Sequence, residues 1–144
     1  MTPKVYSCTR RLEFDAAHRV MQHESKCRNL HGHRYVVEAT AQARDLDSLG
    51  RVVDFSVLKT ILGGWLDEKW DHGMIANKND HGIIEICERD GWKVYKMSGN
   101  PTAENMAEHL HHVFNDLLEK HSGLIVSRVR LYETPNCWAD WPAL

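Results

Sequence analysis

A chain of 144 residues suits one domain, 1–144, large enough to bury a core without disulfide or metal staples. Its 42% hydrophobic and 26% charged content is that of a soluble globular protein, and a formal net charge of -2 leaves no footprint for nucleic acid. No stretch approaches the apolar run that spans a membrane, and the opening residues through Asp15 hold no apolar signal core. The four cysteines form no CxxC pair, so free thiols in a reducing cytoplasm are expected.

In chain order, Val5 to Phe14 is rich in β-formers and predicts a strand ending at Asp15-Ala16-Ala17-His18. Val20 to Leu30 is polar and irregular, a loop. His33 to Ala43 alternates and predicts a second strand. Asp54 can cap a helix in which Phe55, Leu58, Ile61, Leu62, Trp65 and Leu66 recur at helical spacing, although Gly63-Gly64 weakens it. Gly73 to Gly91 is less regular, with a short helix near Ile83 to Arg89, and Trp92 to Met97 suits a strand. Pro101-Thr102-Ala103-Glu104 opens a helix with Met106, Leu110, Val113, Phe114 and Leu117 on one face. Leu124 to Tyr132 is a strand, and Asn136 to Trp141 holds a final short one. The expectation is an α+β fold: a four-stranded antiparallel sheet with two helices on one face.

Ten histidines are the compositional outlier, and histidine is the commonest metal ligand. His31-Gly32-His33 enters a strand, where residues two apart point the same way, so both imidazoles can face one ion. His18 comes back beside them if the first two strands form a hairpin. Three imidazoles suit zinc and leave a fourth position open, as in catalytic sites; Cys27 as a fourth ligand would instead make a closed, structural site.

Cys27 is the cysteine nearest in sequence to these histidines, and a thiol near an ion or basic partner can act as base or nucleophile. Asp71-His72 ends the first helix; the pair can poise a thiol, or it can be an ordinary solvated dipeptide. Glu133 ends the last long strand, where it is either a turn acid or the acceptor for the paired N–H groups of an amidine-like ligand edge. Thr102 is a natural helix cap. His109, His111 and His112 read as surface residues of the second helix.

Phe14-Asp15-Ala16-Ala17-His18, Cys27-x-x-x-His31-Gly32-His33, Val53-Asp54-Phe55, Asp71-His72, Asn100-Pro101-Thr102-Ala103-Glu104-Asn105 and Glu133-Thr134-Pro135 follow one another as in the 6-pyruvoyltetrahydropterin synthase family. The resemblance runs from the first strand to just beyond Glu133. The three residues between Cys27 and His31 resemble the 6-carboxy-5,6,7,8-tetrahydropterin synthase branch of queuosine and deazapurine biosynthesis; the animal-type pyruvoyl enzymes have five. A long insert over Gly73 to Met97, Gly63-Gly64 and the Trp-rich end depart from the family pattern.

The resemblance implies the tunnelling fold, a homo-oligomeric barrel with active sites at subunit interfaces. It implies Zn2+ on His18, His31 and His33, and a proton-transfer group of Cys27, Asp71 and His72. Glu133 would anchor a pterin and take part in the relay, with Thr102 and Glu104 lining the pocket. The implied substrate is 7,8-dihydroneopterin triphosphate, converted to 6-carboxytetrahydropterin, acetaldehyde and triphosphate. Two rivals stay open: pyruvoyl-type elimination without carbon–carbon cleavage, and a non-catalytic zinc- or pterin-binding module.

Overall fold

A computed structural model describes residues 4–121 and 123–143. Strands β1 (Tyr6–His18) and β2 (His31–Ala43) pair antiparallel over their whole length, from Tyr6 opposite Ala43 to His18 opposite His31. Period-two alternation sends Leu12, Phe14, Ala16 and His18 to the same buried face as Tyr35, Val37, Ala39 and Ala41. The expected hairpin is therefore present, and the end closed by the connecting loop carries the histidines.

The first helical segment is continuous from Phe55 to Lys69: α1 (Phe55–Leu58), a π-helical turn over Lys59–Gly63, and α2 (Gly64–Lys69). Asp54 caps it by accepting from the Ser56 amide at 2.9 Å. Gly63 and Gly64 both hold right-handed helical angles, so the pair does not break the helix. Leu58, Leu62 and Leu66, spaced by four, are all buried against the sheet.

The insert holds the expected helix and the strand after it, and adds a strand before them that was not expected. Residues 73–97 form β3 (Gly73–Asn77), α3 (His81–Asp90) and β4 (Val94–Met97). β3 runs parallel to β1, pairing Ala16 with Gly73 and His18 with Ile75, and β4 runs parallel to β3. After α4 (Ala103–Leu118), β5 (Ile125–Thr134) pairs with β2 and β6 (Cys137–Trp141) pairs with β5, both antiparallel. The sheet is thus six-stranded and mixed, in the order β4-β3-β1-β2-β5-β6, and not the expected four antiparallel strands.

Helices also cover both faces. Leu58, Leu62, Leu66, Met106, Leu110 and Phe114 pack with Phe14, Tyr35 and Ile75 on one. Ile84 and Cys87 of α3 pack with Met74, Ala76 and Ala17 on the other. Met74 and Ile75, neighbours in β3, serve different cores, because a strand between two helical layers buries both faces.

His109 is a second correction. It packs over the Trp70 ring, with centroids 6.1 Å apart and planes 17° apart, and its Nε2 hydrogen-bonds the Tyr95 hydroxyl at 2.6 Å. Burial pushes its pKa down, as does the nearby His112. The aromatic wall that covers it comes from α2 and β4, which no helix-local pattern reveals.

Candidate metal centre and proton-transfer groups

His18 is the last residue of β1, and His31 and His33 are the first and third of β2. Register places His18 directly across from His31, with His33 one step along the same face. The ligand atoms of the three imidazoles lie within 4.8 Å of one another, and His18 is fully buried.

The tautomers decide what the group can hold. His18 Nδ1 donates to the Pro101 carbonyl at 2.7 Å, and His31 Nδ1 donates to the Asn29 carbonyl at 2.7 Å. Each neutral ring then presents a bare lone pair at Nε2, and those two nitrogens stand 3.1 Å apart. Two lone pairs cannot bond each other. Protonating one ring would resolve the clash, but burial lowers the pKa of His18, further lowered by His31 and His33 against the pull of the Pro101 carbonyl and Glu133. His33 Nε2 is likewise buried without a hydrogen-bond partner among the described residues. Burial lowers its pKa too, against the opposing charge of Glu133.

Two opposed lone pairs, with the unpartnered His33 Nε2 beside them, suit a cation. Two nitrogens each about 2.0–2.1 Å from a tetrahedral zinc stand about 3.3 Å apart, close to the 3.1 Å between His18 and His31. The backbone carbonyls that fix the tautomers are the outer supports such sites use. Cys27 is not part of the group, so the arrangement matches the open, three-imidazole alternative.

Glu133 Oε1 stands 3.3 Å from His33 Nε2, but off the line of a hydrogen bond. Tyr35 packs under the group, its ring 5.5 Å from His33 and 5.8 Å from His18, and its buried hydroxyl has no partner. Burial, then the Glu133 charge, push the Tyr35 pKa far up, so this hydroxyl stays a proton donor.

Cys27 is half-buried in a 3-10 turn, Lys26–Arg28, within the loop joining β1 to β2. Asp71 and His72 lie elsewhere, with Asp15. Asp71 accepts from the Asp15 amide at 2.9 Å and from His72 Nδ1 at 2.7 Å. Burial works to raise the Asp71 carboxyl, but these donors outweigh it and hold it below the usual range. His72 sits at φ +57, and its amide donates to the Asp15 carbonyl at 2.7 Å. Among the described residues its Nε2 has no partner, and its side chain is exposed. Within one chain the three imidazoles and the Asp15-Asp71-His72 group are separate clusters. A cavity of about 790 Å³ adjoins Asp15 and His72 on the α3 face of the sheet, lined also by Leu30, Gly32, Ile83, Ile86 and Trp92, while the imidazoles point to the opposite face.

Thr102 caps α4, its side chain accepting from the Asn105 amide at 3.2 Å, and Glu104 is exposed in the first turn. Pro101, Asn29, Asp15 and Tyr35 were not singled out from the sequence. Three of them act through backbone groups, which carry no signature in residue type.

A profile of the family described as 6-pyruvoyl tetrahydropterin synthase matches residues 7–143. The chain belongs to that family. Among relatives of this tetrahydropterin synthase family, the 6-carboxy-5,6,7,8-tetrahydropterin synthase of Rickettsia bellii is 47% identical over 135 residues, covering 92% of this chain and 97% of that one. The Haemophilus influenzae protein of the same name is 31% identical over 145 residues, covering 95% and 99%. Two solved structures share the fold. A Wolinella succinogenes protein has a TM-score of 0.80 at 22% identity, over 94% of this chain and 97% of that one. The 6-pyruvoyl tetrahydropterin synthase of Caenorhabditis elegans has a TM-score of 0.69 at 23% identity, over all of both chains. Among the described residues, no helix is long and apolar enough to cross a membrane.

Proposed function

We propose that this chain is a zinc-dependent lyase of the 6-carboxytetrahydropterin branch, cytoplasmic, with one domain running its length. It converts 7,8-dihydroneopterin triphosphate and one water to 6-carboxy-5,6,7,8-tetrahydropterin, acetaldehyde and triphosphate. The observation that carries this is the convergence of three imidazoles, two of them tautomer-locked, with Glu133 at their rim. The 47% identity to a relative of that name supports the branch.

In this reading His18, His31 and His33 hold zinc, and what zinc supplies when bound is Lewis acidity toward a side-chain hydroxyl. Glu133 takes the pterin's paired N–H groups on its two oxygens and stands close enough to the ligands to share in proton movement. Cys27 moves a proton at the carbon next to the ring. Asp71 fixes His72 Nδ1 as a donor, leaving Nε2 to pass that proton on. Thr102, with its oxygen occupied as a cap, contributes its hydroxyl proton to the pocket wall, and Glu104 its carboxylate.

Self-association completes the site, setting the Asp71-His72 pair of one copy against the Cys27 loop of another. Leu30, Ile86 and Trp92, large apolar residues left exposed around the cavity beside His72, support association, since burying such a patch is favourable.

The test is to incubate metal-loaded protein with 7,8-dihydroneopterin triphosphate. Acetaldehyde and triphosphate should appear in equal amounts, vanish after chelation and return with zinc. Triphosphate without acetaldehyde would mean pyruvoyl chemistry, and neither product would mean a binding module.

A further inference from the structure

The loop carrying Cys27 is fastened at two neighbouring points by residues of, or linked to, the 73–97 insert. At the first, Arg19 meets Asp80 through paired bonds, Nε to Oδ2 and Nη2 to Oδ1, each 2.5 Å. Asp80 is 2% exposed and stands at the N-cap of α3, yet its side chain caps nothing there. Its carboxylate is given wholly to Arg19.

At the second point, Asn100 reads the Met21 backbone in both directions. Its Oδ1 accepts from the Met21 amide and its Nδ2 donates to the Met21 carbonyl, both at 3.2 Å. Asn100 is itself held: Oδ1 accepts from Asn77 Nδ2 at 3.0 Å, and its carbonyl accepts from Asn105 Nδ2 at 2.9 Å. Asn77 belongs to β3, so both fastenings lead to the insert.

Between Arg19 and Met21 lies Val20, whose amide donates to the Cys27 carbonyl at 2.9 Å. This bond ties the Cys27 turn back across the loop. The segment that receives Cys27 is thus held on both sides, next to His18 at the end of β1. The next residue, Gln22, takes a left-handed backbone (φ +63), a conformation that persists only where surroundings impose it.

We propose that Asp80 and Asn77, acting through Arg19 and Asn100, are positioning residues for the Cys27 thiol. The insert is then part of the catalytic apparatus, setting where the thiol stands relative to the imidazoles. A group held loosely by even about 1 Å loses much of its effect. The inference rests on Cys27 being the acid/base of the proposed reaction, so its test reads the thiol directly as well as turnover.

Full-length, zinc-loaded protein is treated with iodoacetamide, and the alkylation rate of each cysteine is followed by peptide mass mapping. Cys8, Cys87 and Cys137 serve as internal standards; Cys87, buried in α3, reports general loosening of the insert. In Asp80→Asn, Cys27 alkylation should rise about ten-fold or more, as expected for losing a charge-assisted bond. Turnover should fall with KM little changed and zinc content intact. Arg19→Gln combined with Asp80→Asn, a neutral hydrogen-bonding pair, should recover part of both. Asn77→Ala leaves the ion pair in place and should shift Cys27 in the same direction, and it decides the matter if Asp80→Asn fails to fold. The proposal is overturned if Cys27 reactivity is unchanged, or if Cys27 and Cys87 rise together, which marks a structural staple only. Absence of turnover in the parent protein, with Cys27 still selectively released in the variants, would sink the assigned reaction and leave the clamp standing.

Discussion

Gly32 faces Ala17 across the β1–β2 ladder, and a Cβ at position 32 would lie 3.2 Å from the Ala16 carbonyl oxygen. The glycine between the two histidines is therefore demanded by the neighbouring strand, not by the imidazoles, which point to the other face. Gly32→Ala must push the strands apart by a few tenths of an ångström at the point where His18 and His31 are paired. Overpacking of this kind costs about 1–3 kcal/mol. Urea unfolding of the metal-free protein should show that loss, and zinc affinity should drop with it. An unchanged affinity would mean the ladder tolerates the shift without moving the ligands.

Zinc should be bound by imidazole alone. Cys27 stands outside the cluster of ligand atoms, so Cys27→Ala should retain metal and assembly while turnover falls about 10²–10⁴-fold, the usual contribution of a positioned acid/base. X-ray absorption of the resting protein checks the ligand set, and a zinc–sulfur shell near ~2.3 Å would contradict it.

Glu133→Gln should weaken pterin binding more than folding. A carboxylate accepts two N–H bonds from a guanidine-like edge, whereas an amide opposes one donor with another. A buried donor left unpaired costs about 1–3 kcal/mol, or roughly a five- to hundred-fold loss of affinity. Titrating a product-like pterin into both proteins, with their solution sizes compared, measures this. Equal affinity in an intact assembly would make Glu133 an ordinary turn acid.

Asp140 predicts an acid-side loss of stability. Arg130 Nε and Nη2 donate to its two oxygens at 2.7 and 3.1 Å, and they hold its carboxyl below the ordinary range despite partial burial, with Arg128 adding to the effect. A depressed folded-state pKa means the contribution is fully present above the unfolded value. It is lost as pH falls through the folded one. The pair is worth on the order of 1 kcal/mol. Asp140→Asn should therefore lower stability near neutral pH and flatten the decline below about pH 4. Denaturant titrations across that range give both slopes, and parallel curves would show that the pairing contributes nothing.

What could be read from residues alone was whatever depends on near neighbours. His31 and His33 share a face because strand side chains alternate, and Leu58, Leu62 and Leu66 share one because a helix turns every 3.6 residues. Those periods also placed β1, β2, α4 and β5, and hence the hairpin that returns His18 to His31. The order of motifs from Phe14 to Pro135 carried the family, which the profile over residues 7–143 bears out.

The rest depended on contacts between distant parts of the chain. Gly73–Asn77 is five residues, buried almost throughout, and a strand covered on both faces has no alternation to betray it. Only its parallel pairing with β1 makes it a strand and sends α3 to the far face. The Pro101 carbonyl on His18 and Asp80 on Arg19 span 83 and 61 residues, and neither has a local pattern. The same holds for Asp71 and His72, which the fold gathers with Asp15 into a cluster separate from the three imidazoles. Residue types limit which chemistry is possible; the register of strands and the backbone carbonyls they deliver determine which nitrogen carries a proton and which is left to bind a metal.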